Sequence, residues 1–135
     1  MKSKKVLILG GSSDIGKESI KIFLNNNWQV TSHYNSKKIN NKDFYKNNNF
    51  SQFKFNLKNI LSFERFLKKN KKKFSKFDAF INLAGYLKPT KFENFSVQDL
   101  NDHLNINSIS SFLTIKALLP GMKKKKWGRI VNTSS

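Results

Sequence analysis

Apolar and polar positions along the chain follow two alternating rhythms, and the rhythm switches at regular intervals. Lys5-Val6-Leu7-Ile8-Leu9 is a short continuous apolar run, which suits a strand buried on both faces of a parallel sheet. It leads directly into Gly10-Gly11-Ser12-Ser13-Asp14-Ile15-Gly16. Over 17–27 the spacing becomes helical, with Ile15 and Ile22, then Ile20, Phe23 and Leu24, and Asn25-Asn26-Asn27 provides a left-handed stop. A second strand follows at 28–33, so strand, glycine turn, helix and strand form one βαβ unit. The pattern then repeats. Residues 50–55 read as a third strand, Ile60, Phe63, Phe66 and Leu67 mark a helix that ends in a Lys/Asn run, and 77–83 read as a fourth strand closed by Ala84-Gly85. Ser96-Val97-Gln98-Asp99 resembles a capping box. It opens a long helix carrying Leu100, Leu104, Leu113 and Ala117, expected to stop at Pro120-Gly121, and residues 129–133 give a fifth strand. The pattern is weakest over 35–49, where it allows a short helix. Strands alternating with helices predict an α/β fold, an open parallel sheet with helices on both faces.

Composition narrows the class. A chain of 135 residues with 38% hydrophobic positions and 13 Phe has enough apolar material for the core of one domain, spanning 1–135. The absence of Cys excludes disulfide frameworks, Cys-ligated zinc and thiol nucleophiles. The apolar run near the start is too short for a signal-peptide core or a membrane span, which leads to the expectation of a cytoplasmic protein without a membrane partner. The net charge of +18 raises nucleic acid as a partner. The charge, however, comes from 24 Lys and only 2 Arg, whereas phosphate and base-edge readers rely on the bidentate Arg fork. Lys, Asn, Phe and Ile together supply nearly half the chain, and all four have A/T-rich codons. The runs at 68–73 and 123–126 therefore read as solvated faces, and no nucleic-acid partner is expected.

The glycine turn changes the picture. A helix opening after a buried strand offers free backbone N–H groups and positive partial charge, and glycines allow close approach. Inside a βαβ unit, such a turn is a site for a dinucleotide diphosphate.

Four segments in order resemble the short-chain dehydrogenases/reductases. The family's T-G-x-x-x-G-x-G is similar to Leu9-Gly10-Gly11-Ser12-Ser13-Asp14-Ile15-Gly16, with Leu9 in place of Thr and Asp14 in place of the middle Gly. N-N-A-G is similar to Asn82-Leu83-Ala84-Gly85, the helix asparagine to Asn107, and G-R-I-V-N-I-S-S to Gly128-Arg129-Ile130-Val131-Asn132-Thr133-Ser134-Ser135. The resemblance implies a Rossmann-type doubly wound sheet, incomplete at its C-terminal side, that binds a nicotinamide cofactor. Implied cofactor contacts are Gly10, Ser12, Ser13, Asp14, Ile15 and Gly16 at the turn; Tyr34, Asn35 and Ser36 after the second strand; Asn56 and Leu57 after the third; and Asn82, Ala84 and Gly85 after the fourth. Asp14 is expected to cap the helix with its charge turned from the diphosphate. Asn82 and Asn107 are expected to be buried, and His103 to lie on the helix surface.

The second strand ends in His33-Tyr34-Asn35-Ser36-Lys37-Lys38, with no carboxylate before Asp43. An acidic residue there would hold a ribose 2′-OH and repel a 2′-phosphate. A hydroxyl and two lysines instead favour NADP(H) over NAD(H). By the same resemblance Ser135 and Asn107 belong to the catalytic set, and the family's Tyr-x-x-x-Lys pair falls after Ser135. Tyr34 and Lys38 fit that string by chance, at the adenosine end. The expected activity is hydride transfer with a small-molecule carbonyl or alcohol, in a protein that forms a homo-oligomer when complete. On its own the 135-residue stretch is expected to be inactive. The competing readings are a non-catalytic nucleotide-binding protein or decayed relic and, behind them, a basic nucleic-acid binder.

Overall fold

The computed structural model describes residues 2–40 and 42–134, with backbone only for Asp43 and Tyr45. In chain order the elements are β1 (Lys5–Leu9), α1 (Asp14–Asn25), β2 (Gln29–Tyr34), α2 (Lys42–Tyr45), β3 (Phe50–Lys54), α3 (Ile60–Lys69), α4 (Lys71–Phe74) and β4 (Ala79–Asn82). A single 3₁₀ turn at Phe92–Asn94 precedes α5 (Val97–Leu104), a π-helical turn at Asn105–Ile109, α6 (Ser110–Lys125) and β5 (Arg129–Asn132). All strand pairs are parallel and the order across the sheet is β3-β2-β1-β4-β5.

Alternation along β1 divides the core in two. Leu7 and Leu9 face one side, where α3, α4 and α6 contribute Phe63, Leu67, Phe74, Leu118 and Met122. Val6 and Ile8 face the other, against Ile20 and Leu24 of α1, with Ile39 and Phe44 closing its edge. A strand whose two rows of side chains both meet apolar layers must be apolar throughout, hence the continuous run. The C-terminal stop of α1 is as expected, with Asn27 left-handed at φ 61°. The capping box at Ser96 and Asp99 forms in both directions.

Four local expectations differ. First, α1 begins at Asp14, and its cap is Ser13, whose Oγ accepts from the Gly16 N–H. Asp14 therefore sits inside the first turn, fully exposed, 3.8 Å from Lys17. Second, Ile15 and Ile22 are 70% and 61% exposed, because the inward stripe of α1 runs through Gly16, Ile20 and Leu24. Third, α6 passes through Pro120 and ends at Lys126, left-handed at φ 55°. Pro120 lies on the exposed side, and Leu118 and Met122 on either side are anchored in the core, which offsets the ordinary penalty of an interior proline. Fourth, Leu100 and Leu104 remain 47% and 45% exposed. The inward face of this region is polar, with Ser110, Ser111 and Thr114 buried; Ser110 and Thr114 satisfy their hydroxyls on backbone carbonyls four residues back.

Candidate functional site

The chain proceeds β1, β2, β3 toward one edge, then returns across β1 to β4 and β5. The loops leaving β1 and β4 therefore diverge, and a crevice opens at their C-terminal ends, the usual ligand position in an open α/β sheet. A cleft of about 450 Å³ occupies it. The glycine turn contributes Gly10, Ser12 and Ser13; the loop after β2 contributes Asn35, Ser36 and Lys37. Asn56, Leu57 and Lys58 form one wall and Ala84, Gly85 and Tyr86 another. The cleft thus gathers Gly10, Ser12, Ser13, Asn35, Ser36, Asn56, Leu57, Ala84 and Gly85 from the residues expected on sequence grounds. Asp14, Ile15, Gly16, Tyr34 and Asn82 do not line it.

The turn is built by close approach. Gly10 has φ +75°, and a Cβ there would stand 2.7 Å from the Ala84 nitrogen. A Cβ at Gly16 would stand 2.5 Å from the Gly11 carbonyl oxygen, so this glycine lets α1 sit directly on the turn. Ser13 Oγ donates to the Gly10 carbonyl at 3.1 Å and accepts from the Gly16 N–H at 3.0 Å. The Gly11 N–H is taken by the His33 carbonyl. Among the described residues the N–H groups of Ser12, Asp14 and Ile15 have no partner. Three free donors at the positive end of a twelve-residue helix fit a diphosphate. Ile15 offers only its backbone N–H there, since its side chain is exposed to solvent.

His33 is the functional residue that sequence reasoning missed. It is 3% exposed; its Nδ1 accepts from the Gly10 N–H at 3.2 Å, and its Nε2 donates to the Phe55 carbonyl at 2.8 Å. The ring therefore holds the glycine turn to the end of β3 in one neutral tautomer. Burial holds its pKa below the ordinary 6.5, partly opposed by the bond to Phe55. Strand alternation gave no signal for it: Val30 and Ser32 occupy the buried row, and His33 is buried next to Ser32 against that alternation.

Asn82 is buried as expected, and its Oδ1 accepts from the Ala84 N–H at 3.2 Å, shaping the turn after β4. Asn107 is exposed rather than buried. It sits in the π turn, and its amide grips Tyr86 twice, accepting from the N–H at 2.7 Å and donating to the carbonyl at 2.9 Å. Ser135 lies outside the described residues. Tyr34 and Lys38 belong to the β2 end, two strands from β4 in the sheet order. His103 is not a free surface group. It packs between Tyr86 and Phe95 at 4.7 and 5.1 Å, with Nδ1 donating to the Asp99 carbonyl and Nε2 accepting from the Lys88 N–H. Nearby, hydrogen bonds from Lys88 and Ser96 lower the Asp99 carboxyl to about 2. The Gln98 amide and then Lys58 lower Asp102.

A basic recess adjoins the cleft, lined by Ser12, Lys17, Lys37, Lys38, Ile39, Asn40 and Lys42. Among the described residues no helix is long and apolar enough to cross a membrane.

Comparison with known proteins agrees with this geometry. The family model for short chain dehydrogenase matches residues 4–135. A 3-oxoacyl-(acyl-carrier-protein) reductase FabG from Buchnera aphidicola is 32% identical over 132 residues, covering 95% of this chain and 53% of the relative. A short chain dehydrogenase from Leptospira borgpetersenii, solved with bound NAD+, superposes with TM-score 0.82 at 26% identity, covering 100% of this chain and 52% of that one. ElxO with NADP bound gives TM-score 0.75 at 27% identity, covering 99% and 56%. The chain spans about half the length of each of these relatives.

Proposed function

The chain belongs to the short chain dehydrogenase family, and from that membership we propose that it is the nicotinamide-cofactor-binding part of an NADP(H)-dependent oxidoreductase acting on a small-molecule carbonyl or alcohol. The observation that carries the reading is a glycine turn that lines a cleft at the sheet's switch point through Gly10, Ser12 and Ser13, with the unpaired N–H groups of Ser12, Asp14 and Ile15 in the same turn and the first residues of α1. The residues fit the cofactor: diphosphate on those donors, adenosine between the Asn35–Ser36 loop and Asn56–Leu57, and the nicotinamide half toward Ala84 and Gly85. When bound, the cofactor supplies or accepts a hydride at its nicotinamide ring.

This chain's residues bind and orient. Asp14 keeps its carboxylate in solvent, beside Lys17. His33 fixes Gly10, Asn82 fixes Ala84, and Asn107 fixes Tyr86. By family resemblance, Ser135 polarises the substrate oxygen. By the same resemblance the Tyr-x-x-x-Lys pair that would move its proton falls after Ser135, and residues 1–135 on their own are expected to reduce no carbonyl. Homo-oligomerisation and a cytosolic location belong to the same proposal.

The recess beside the cleft supports NADP(H) over NAD(H). Lys37 borders both cavities, and Lys17 and Lys42 face the same recess. Among the described residues no carboxylate lines either cavity, so a 2′-phosphate would meet attraction where NAD-specific enzymes present an acid. Titration calorimetry tests the preference. NADPH is expected to bind about tenfold or more tightly than NADH, a difference near 1.4 kcal/mol. Lys37→Glu is expected to erase it. Tighter binding of NADH by the unmodified chain would overturn the preference.

A further inference from the structure

Lys58 lies in the turn after β3 that forms one wall of the cleft; Tyr86 lies in the loop after β4 that forms the other. Among the described residues no backbone hydrogen bond joins turn 56–58 to loop 84–86. Side chains join them instead. The Lys58 ammonium is 3.1 Å from Asp102 Oδ2, 3.5 Å from the Tyr86 hydroxyl and 4.5 Å from the centre of the Tyr86 ring. The Asp102 carboxylate is mostly shielded, 12% exposed, and its other oxygen accepts from Gln98 at 2.8 Å. The Lys58 carbonyl accepts from Asn105, just as Tyr86 is gripped by Asn107. Asp102, Asn105 and Asn107 all lie on the segment running from α5 into the π turn. One helical segment therefore holds both walls, and Lys58 is the side chain that touches the helix and the opposite wall at once.

We propose that Lys58 is a positioning residue of the cofactor cleft: held by Asp102 and by the face of Tyr86, it fixes the spacing of the two walls between which the dinucleotide binds. The proposal rests on the reading of this cleft as a nicotinamide-cofactor site. A cation over an aromatic face and a shielded ion pair act together here, whereas an isolated exposed pair would contribute little. Lys58 need not touch the cofactor. Its effect is transmitted through the Ala84-Gly85-Tyr86 backbone.

The test compares the unmodified chain with Lys58→Met, Lys58→Arg and Asp102→Asn, using two readouts. Amide hydrogen exchange without ligand reports wall order: in Lys58→Met the Tyr86 N–H is expected to exchange about fivefold faster, while the β1 amides keep their rates. Calorimetry with NADPH is expected to show about fivefold weaker binding in Lys58→Met, a change of the size that networked residues impose on a site they do not touch. Lys58→Arg should restore both values, and Asp102→Asn should reproduce both losses. Unchanged Tyr86 exchange or unchanged NADPH affinity in Lys58→Met would overturn the proposal while leaving the cofactor reading intact. Failure of the unmodified chain to bind NADPH would overturn that reading and the proposal with it. A uniform rise in exchange, β1 included, that Lys58→Arg does not rescue would show a global loss of structure and also overturn it.

Discussion

Replacing His33 with Phe removes the acceptor for the Gly10 N–H and the donor to the Phe55 carbonyl while keeping an aromatic ring 5.6 Å from Phe53. An orphaned buried backbone group costs about 1–3 kcal/mol. Gly10 borders the cleft, where water can reach it, so the two losses together come to about 2–4 kcal/mol. The imidazole also writes a pH dependence that Phe lacks. Burial lowers its folded pKa below 6.5, so below that pH the unfolded chain binds more proton than the folded one. Its neutral form is compatible with full stability above about pH 6.5, and stability falls as pH drops from there toward the lowered folded value. The slope approaches about 1.4 kcal/mol per pH unit at most. Urea unfolding followed by Trp28 and Trp127 fluorescence between pH 5.5 and about 7.5 measures both effects. The unmodified protein should lose stability toward the acidic end, and His33→Phe should be less stable at pH 7.5 with a flatter profile. Equal pH slopes in the two proteins would refute the assignment of a buried, neutral His33.

Three further outcomes follow from close contacts and charge. Gly16→Ala pushes a methyl group into the Gly11 backbone; displacement of the α1 N–H donors should weaken NADPH binding about tenfold or more by calorimetry. Gly121→Ala would place its Cβ at 1.9 Å from the Ser75 carbonyl, remote from the cleft, so it should cost about 1–3 kcal/mol in thermal unfolding. Nucleotide affinity at a temperature where it is folded should be unchanged. Asp99, lowered from 3.8 to about 2, contributes stability that is complete above about pH 4 and is lost as pH falls to about 2. Acid titration of Asp99→Asn should therefore show a shallower fall across that window.

β1 and β4 were legible as short apolar runs closed by small or polar residues, and the parallel arrangement was legible from strands alternating with helices. Val6 to Leu9 could hardly be anything but a strand with two buried faces. The cleft proposed to hold the cofactor was legible through the glycine turn and the residues after the second, third and fourth strands. What escaped was set by tertiary contact. Local sequence gives no reason for a helix to pass through Pro120; the anchoring of Leu118 and Met122 decides it. Nothing in the local sequence marks Ser110, Ser111 and Thr114 for burial; it is possible because their hydroxyls find partners in the helix itself or in Asn132. Ser13 rather than Asp14 takes the cap since only its hydroxyl reaches both the Gly10 carbonyl and the Gly16 N–H. The π turn that carries Asn107 has no periodicity to betray it over five residues. His33 became visible only when the strand end met the glycine turn.

The most direct measurement is a two-dimensional amide NMR titration of the 135-residue chain with NADP+. The largest shifts should fall on Ser12, Asp14 and Ile15, then on Asn35 to Lys37, Asn56 to Lys58 and Ala84 to Tyr86. Resonances at the opposite end of the sheet, such as Asn48, Asn49 and Lys72, should stay in place. Shifts concentrated among those lysine-rich residues, or no saturable shift in the glycine turn, would contradict the central claim that this cleft is a nicotinamide-dinucleotide site.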